Sequence, residues 1–411
     1  MQLIELINKH GKPKALLDDW DNAESPKAIF DFEEIFFINN NGIPFLNDKQ
    51  IFNEPLAAFQ KTLDHWKNES KDLAAIGYIS YDLKNLLYPH LNFNSNSNKN
   101  PLLWFAKPKM TLNYQNHYDS NECEPIDLHL IQNLPTPNEY EKFIYKIKTH
   151  LEAGDSYQIN FTQPKKYVSS HDSFEIYLRM RQKIKPWHGM YINSGQSKIL
   201  SFSPEKFFKT YNGKIESFPM KGTRPRSSDL IKDELLKIEL HKSEKDRAEH
   251  LMIVDLIRND IGKICNYGSI NVENLYDIKT FKTVHQMVSK VHGELSSNIK
   301  EIEIIKAMFP GGSITGAPKE RSMEIIDSLE NYDRGIYTGA LGSISSDGEM
   351  NFNIAIRTME IYDNIATYPV GGGIVWDSDS LSEWKEAQQK SKIIDLCNEN
   401  VKSKKYEFET C

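Results

Sequence analysis

The chain predicts a mixed α/β fold, and three observations carry that expectation. Helix-period and strand-period segments alternate along its length with no internal repeat. Of the 411 residues, 39% are hydrophobic and 11% aromatic, too core-rich for a disordered chain. At this size about three quarters of the unfolded surface can be buried, so no metal staple or disulfide net is required.

The elements follow in order. Ile35-Phe36-Phe37-Ile38 reads as a short apolar strand and residues 74–81 as another. Between them, 55–66 is an amphipathic helix with Pro55 at its start. The Asn/Ser-rich run 92–101 cannot bury surface and predicts an exposed loop. A second break at Leu134-Pro135-Thr136-Pro137 is also a helix start, because Thr136 and Glu139 form a capping box around Pro137. Tyr140, Phe143, Ile144, Ile147 and Leu151 give that helix one apolar stripe, Gly154 ends it, and 157–161 follows as a strand. Further helices are expected over 243–261, from Pro318, and from about Leu381. The domain expectation is an α/β region over 1–133 and a catalytic domain over 134–400.

Charge and cysteine usage exclude several classes. Fifty Lys+Arg against 57 Asp+Glu give −7, which argues against a dedicated nucleic-acid binder. No apolar stretch approaches the ~20 residues of a membrane span. Glu5 interrupts the first apolar run and no basic leader precedes it, so no secretory signal is read. Cys123, Cys265, Cys397 and Cys411 are scattered without a Cys-x-x-Cys pair, against zinc ribbons and disulfide scaffolds. Cys265 and Cys397 read as buried packing thiols. The expected class is a cytoplasmic globular enzyme.

Five constellations could carry chemistry. Lys221 sits between a strand end and a Gly turn in Phe218-Pro219-Met220-Lys221-Gly222-Thr223-Arg224-Pro225-Arg226, downstream of Ser203-Pro204-Glu205. Desolvation there would make it an amine nucleophile; a surface lysine is the plainer reading. Glu249 falls on the apolar face of the 243–261 helix with Ile253 and Leu256. It either meets a cation or serves the helix dipole. The Gly-rich loop from Phe309 to Lys319 could hold an anion on backbone N–H groups. Ala317 after Gly316 rejects an ATP-type P-loop, and a tight connection remains open. Gly371-Gly372-Gly373, a second anion-receptive Gly loop, leads into a helix whose Glu383, Glu386 and Lys390 share a face continued by Ile393, Ile394 and Cys397. The carboxylates suit a hard cation, or Glu386 and Lys390 merely pair. Arg357 interrupts an apolar strand over 354–358 and would bind a carboxylate or close a salt bridge. Together these describe a site for a small polyanion partly neutralised by Mg²⁺.

In series the strings resemble the chorismate-utilising enzymes. They are Gly154-Asp155-Ser156-Tyr157-Gln158-Ile159-Asn160, Ser203-Pro204-Glu205, Pro219 to Pro225, Asp246 to Leu256, Val284-His285, Pro310 to Lys319, Ile356-Arg357-Thr358 and Gly371 to Val375, in family order over 137–398. The resemblance implies two packed antiparallel sheets with outer helices and a cleft between the halves. It is nearest to the branch that aminates chorismate at C4 on the way to para-aminobenzoate and folate. Gln158 stands where isochorismate- and salicylate-forming members carry a water-activating lysine. Lys221 stands where anthranilate-forming members carry alanine.

The resemblance then implies roles. Lys221 would attack ring carbon C2 while Glu205 protonates the departing C4 hydroxyl, and ammonia would displace the lysine. Glu249 and Glu386, with Glu383 nearby, would hold Mg²⁺. Arg357, Tyr337, Gly372 and Gly373 would bind the enolpyruvyl carboxylate, and Lys390 and Ser313 would serve the ring side. Gln158, Thr223 and His285 would line the substrate site. No Cys/His amidotransferase signature is evident, so ammonia would come from a glutamine amidotransferase partner. Leu16-Leu17-Asp18-Asp19 departs from the Leu-Leu-Glu-Ser of tryptophan-inhibited relatives, so no tryptophan feedback is expected. The alternatives are the anthranilate-forming activity and a non-catalytic chorismate-binding subunit.

Overall fold

The computed structural model describes residues 1–18, 25–94, 100–115, 126–281, 284–395 and 398. The central part of the predicted 92–101 loop, together with Asp19, Cys123, Cys397 and Cys411, lies outside them. The strands form one continuous antiparallel ladder that folds back on itself. Its first half runs Leu128–Gln132, Gln158–Ser169, Ile365–Ile374, Thr358–Tyr362, Ser197–Ser203, His188–Asn193 and Ala15–Asp18. The Ala15–Asp18 strand then pairs with Lys27–Ile38, Ala15 opposite Ile29. The second half continues through Leu103–Asn113, Leu73–Ile79, Ala340–Ser345, Met350–Ile354, Lys206–Tyr211 and Lys214–Ser217 to Val284–Glu294. Met220–Pro225 and Asn271–Thr280 both pair with that last strand.

The two halves pack face to face. Ala15, Ile29, Ile76, Tyr78, Trp104, Met190, Ile199 and Leu341, drawn from both halves, form the layer between them. The outer faces carry helices. Pro55–Glu69 and Glu301–Met308 pack on the second half through Phe59, Leu63, Trp66 and Ile305. Ser173–Ile184 and Ser380–Asp395 pack on the first through Ile176, Met180, Ala387 and Ile394. This is the sandwich with outer helices.

Local signals were largely realised. Thr136 caps Pro137–Glu152, its backbone N–H donating to Glu139 at 2.9 Å. The helix expected over 243–261 is Glu244–Gly262, capped by Ser243. The strand expected over 74–81 is Leu73–Ile79, buried at every position because it has a layer on each face. Two readings need correction. Gly371-Gly372-Gly373 is not a loop but the end of the Ile365–Ile374 strand, paired with Thr162, Phe161 and Asn160. Arg357 does not interrupt a strand. It lies between Met350–Ile354 and Thr358–Tyr362 with φ of +50°.

Candidate active site

Lys221 is aimed by a β-bulge. Lys221 lies opposite Met287 and Thr223 opposite Gln286, so Gly222 is an extra residue in its strand. Gly222 has φ of +69°, and a Cβ there would come within 2.8 Å of Leu240 Cδ1 and 3.0 Å of Asp246 Oδ1. Only glycine suits the position. The bulge puts Lys221 and Thr223 on opposite faces, and Thr223 is exposed. Lys221 is half-buried, and its Nζ donates to Gln158 Oε1 at 3.2 Å. Burial pushes its pKa down, against the opposing pull of Glu249, Glu205 and Glu386.

That contact joins the two ends of the ladder, since Gln158 opens a strand of the first half and Lys221 belongs to the far end of the second. The backbone of Gln158 is fixed by Ala317 across a short ladder and by Ser156 and Ser322, whose hydroxyls donate to its carbonyl at 2.8 and 3.3 Å. Gly316 passes so near that a Cβ would lie 2.0 Å from the same carbonyl oxygen.

Glu205 follows the Ser197–Ser203 strand and is half-buried. Ser203 shapes the turn: its hydroxyl accepts the Glu205 N–H at 3.2 Å and donates to Ile354 O at 2.7 Å. Burial pushes the Glu205 carboxyl up to about 7, opposed by the Ser313 hydroxyl, which donates to Oε1 at 3.2 Å, and by Lys221 and Lys390. A carboxyl poised there can give a proton near neutral pH.

Two helices bring acids to the same place. Glu249 on Glu244–Gly262 is half-buried, and burial raises its pKa against the charges of Lys221 and Lys245. Burial also raises that of Glu383 on Ser380–Asp395, although Ser378 donates to its Oε1 at 2.7 Å. Glu386 is held down by Lys390, whose Nζ lies 2.8 Å from it. The i,i+4 pair read from the sequence therefore forms, and Lys390 also donates to Gly371 O at 2.8 Å. A Cβ on Gly372 would come within 3.5–3.7 Å of Lys390, Glu383 and Glu386. Among the described residues, no three His, Cys, Asp or Glu side chains are already gathered in metal-holding geometry. The donors are all oxygens, and the charges of Glu249 and Glu386 and of Glu383 and Glu386 raise one another's cost, which is the donor chemistry a hard divalent cation needs.

The remaining residues are spread. Arg357 is exposed and forms no ion pair among the described residues. Its carbonyl accepts the Phe202 N–H at 3.0 Å, three residues before Glu205, and its charge is felt at Tyr368. Tyr337 is buried, and its phenol pKa is pushed up by that burial against the pull of Arg334. His285 is 1% exposed with both ring nitrogens engaged, Nε2 at 3.0 Å from Asp233 and Nδ1 at 3.0 Å from Thr280. Asp233 is in turn clamped by Arg226. The sequence assigns no role to Ser203, to Lys245 or to the buried Lys319–Asp260 pair at 2.6 Å. The Ser-x-Glu spacing was a usable signal for Ser203, whereas Lys319 and Asp260 meet only in three dimensions. Cys265 is half-buried with its thiol pushed up to about 11 by burial, which makes it inert.

A cavity of about 290 Å³ opens elsewhere, between Asp18, Lys27, His188 and Asn353, and contains none of these residues. Asp18 at its edge is committed to Arg181 at 2.6 Å and to the hydroxyls of Tyr114 and Tyr177. Convergent chemistry rather than volume marks the site. No helix among the described residues is long and apolar enough to cross a membrane.

A lysine amine, a carboxyl raised to about 7 and three further acids thus lie within electrostatic reach of one another on the sandwich. Residues 14–395 match the family described as chorismate binding enzyme, and the chain belongs to that family. It is 39% identical over 255 residues to aminodeoxychorismate synthase component 1 of Escherichia coli, covering 62% of this chain and 56% of that protein. It is 38% identical over 257 residues to anthranilate synthase component 1 of Saccharolobus solfataricus, covering 62% of this chain and 61% of that one. It matches only 29% of the aminodeoxychorismate synthase of Arabidopsis thaliana, at 39% identity. The chain thus aligns with less than two thirds of the length of these curated relatives. The crystal structure of anthranilate synthase component I from Streptococcus pneumoniae superimposes with a TM-score of 0.79 at 24% identity, over 91% of this chain and 92% of that one.

Proposed function

We propose that the chain is an aminodeoxychorismate synthase component I, joining ammonia to chorismate to give 4-amino-4-deoxychorismate and water. The observation that carries this reading is the desolvated amine of Lys221 within electrostatic reach of Glu205, whose carboxyl is raised to about 7. At an ordinary pKa near 10.4 only about one lysine in 2,500 is neutral at pH 7, so burial supplies what a nucleophile needs. Lys221 Nζ forms a bond to C2, the ring double bonds shift, and the C4 hydroxyl departs as water with the proton of Glu205. Ammonia then bonds to C4 and the C2–N bond breaks, returning Lys221 as an amine. The surplus proton of the ammonium returns to the carboxylate of Glu205.

Glu249, Glu383 and Glu386 would hold Mg²⁺, which when bound supplies positive charge against the substrate's ring carboxylate. Arg357, with Tyr337 and the Gly372–Gly373 backbone, would receive the enolpyruvyl carboxylate, and its guanidinium, in no ion pair among the described residues, supports that role. His285, with both nitrogens engaged, would serve as a wall rather than a proton carrier. The ammonia would come from a separate glutamine amidotransferase.

A second reading, anthranilate formation, is favoured by the 38% identity to an anthranilate synthase component. Mass analysis of products from chorismate, Mg²⁺ and ammonium separates the two. The amination reading expects 4-amino-4-deoxychorismate without pyruvate. Anthranilate with pyruvate would establish the second, and isochorismate would overturn the reading of Gln158. Lys221→Ala is expected to abolish any trapped enzyme–substrate adduct; an adduct that persists at full yield removes the covalent role.

A further inference from the structure

Resting on the amination reading, we propose that Gln158 is a positioning residue: its Oε1 holds the Lys221 amine in line, and its Nε2 is reserved for an oxygen of the substrate. Gln158 is wholly buried at the start of its strand, and Oε1 accepts an N–H of Lys221 at 3.2 Å. The donor on Lys221 requires the carbonyl oxygen to face it, which turns the NH₂ group away. Nε2 is buried and has no hydrogen-bond partner among the described residues. An unmet buried donor is uncommon in a native fold, and beside the Lys221 amine it calls for an acceptor that arrives with the ligand.

Gly373 closes one side of the carboxamide. The backbone of Gly373 lies against it so closely that a Cβ at 373 would fall 2.8 Å from Cδ, 3.0 Å from Oε1 and 3.1 Å from Nε2. Behind it, the main chain is pinned by the Ala317 ladder and by Ser156 and Ser322. The uncharged oxygen is the essential chemical feature. A carboxylate in its place would orient the nitrogen but would also hold it as an ammonium, with its lone pair occupied by a proton. An amide oxygen accepts one N–H and leaves the lone pair available for attack. Gln158 thus fixes direction without fixing charge. The charged groups that also face Lys221 are Glu205, Glu249, Glu386 and Lys390, with His250 close enough to feel it.

The test compares wild type with Gln158→Leu, which removes both contacts, and Gln158→Glu, which keeps an acceptor of the same length. Gln158→Leu is expected to lower kcat by about ten- to a hundredfold through misdirection of the nucleophile and to raise KM through loss of the Nε2 donor, with the melting temperature unchanged. Gln158→Glu is expected to move the rising limb of the pH–kcat profile to higher pH. An independent readout is the pH dependence of Lys221 labelling by an amine-reactive acylating reagent, followed by mass spectrometry, which needs no turnover. The same alkaline displacement in Gln158→Glu is expected there. Wild-type kcat and KM in a folded Gln158→Leu protein, or an undisplaced labelling curve in Gln158→Glu, would overturn the positioning role. A wild-type enzyme that forms no aminated product while the labelling curve still moves would instead sink the amination reading and leave the Lys221–Gln158 coupling standing.

Discussion

Burial gives Glu205 its proton, and the same burial costs stability. Its carboxyl stays neutral in the fold up to about 7, whereas in the unfolded chain it ionises from about 4.5. Stability therefore falls as pH rises between those values and is level above them. Glu205→Gln is expected to raise stability at pH 8, on the order of 1–2 kcal/mol once partial exposure is discounted, as read by urea denaturation. The same change should cut kcat about 10²- to 10⁴-fold through loss of the acid. Ser313 pulls in the opposite direction, since its hydroxyl bond lowers the Glu205 pKa. Ser313→Ala should move the falling limb of the pH–kcat profile to higher pH, and a shift to lower pH would contradict this account. At this scale the residue types were legible in the sequence: Lys221, Glu205, Gln158, Glu249 and Glu386 were each named from their strings. Their environments were not. The burial of Gln158 depends on Gly373 and Ala317, more than 150 residues away, and the exposure of Arg357 depends on a strand end that its apolar neighbours hid.

Elements announced by their own chemistry were read closely, as the helix capped by Thr136 and the helix capped by Ser243 illustrate. The misread element was Gly371–Gly373, where glycine normally signals a loop. Here it signals closeness: a Cβ on Gly371 would lie 2.0 Å from Phe161 O across the ladder. Gly371→Ala is expected to be strongly destabilising and to show as a large loss of melting temperature. A second element-scale feature is the buried pair of Lys319 and Asp260. It ties the start of Lys319–Leu329, just after the loop bearing Ser313, to the last turn of the helix bearing Glu249. Lys319→Met leaves Asp260 without this partner, and about 3–5 kcal/mol should be lost in chemical denaturation. A cost below 1 kcal/mol would show that Lys263, 3.1 Å from Asp260, suffices alone.

At the scale of the whole molecule, the sandwich was legible only through the family resemblance. Local periodicity names strands but not their partners, and pairings such as Leu73–Ile79 with Ala340–Ser345 join residues far apart in sequence. Because one middle layer draws on both halves, unfolding should be a single event. Far-ultraviolet circular dichroism and tryptophan fluorescence are expected to give coincident melting curves, and two separated transitions would divide the molecule at the Ala15–Asp18 junction. The same wiring has a consequence during synthesis. The strand Ala15–Asp18 leaves the ribosome long before its neighbour His188–Asn193, and Leu73–Ile79 waits for more than 260 further residues. Until those segments emerge, apolar edges stand open to any passing chain. Nascent chains arrested before residue 340 should therefore be readily cleaved by protease and held by chaperones, and resistance should appear only once the late strands are made.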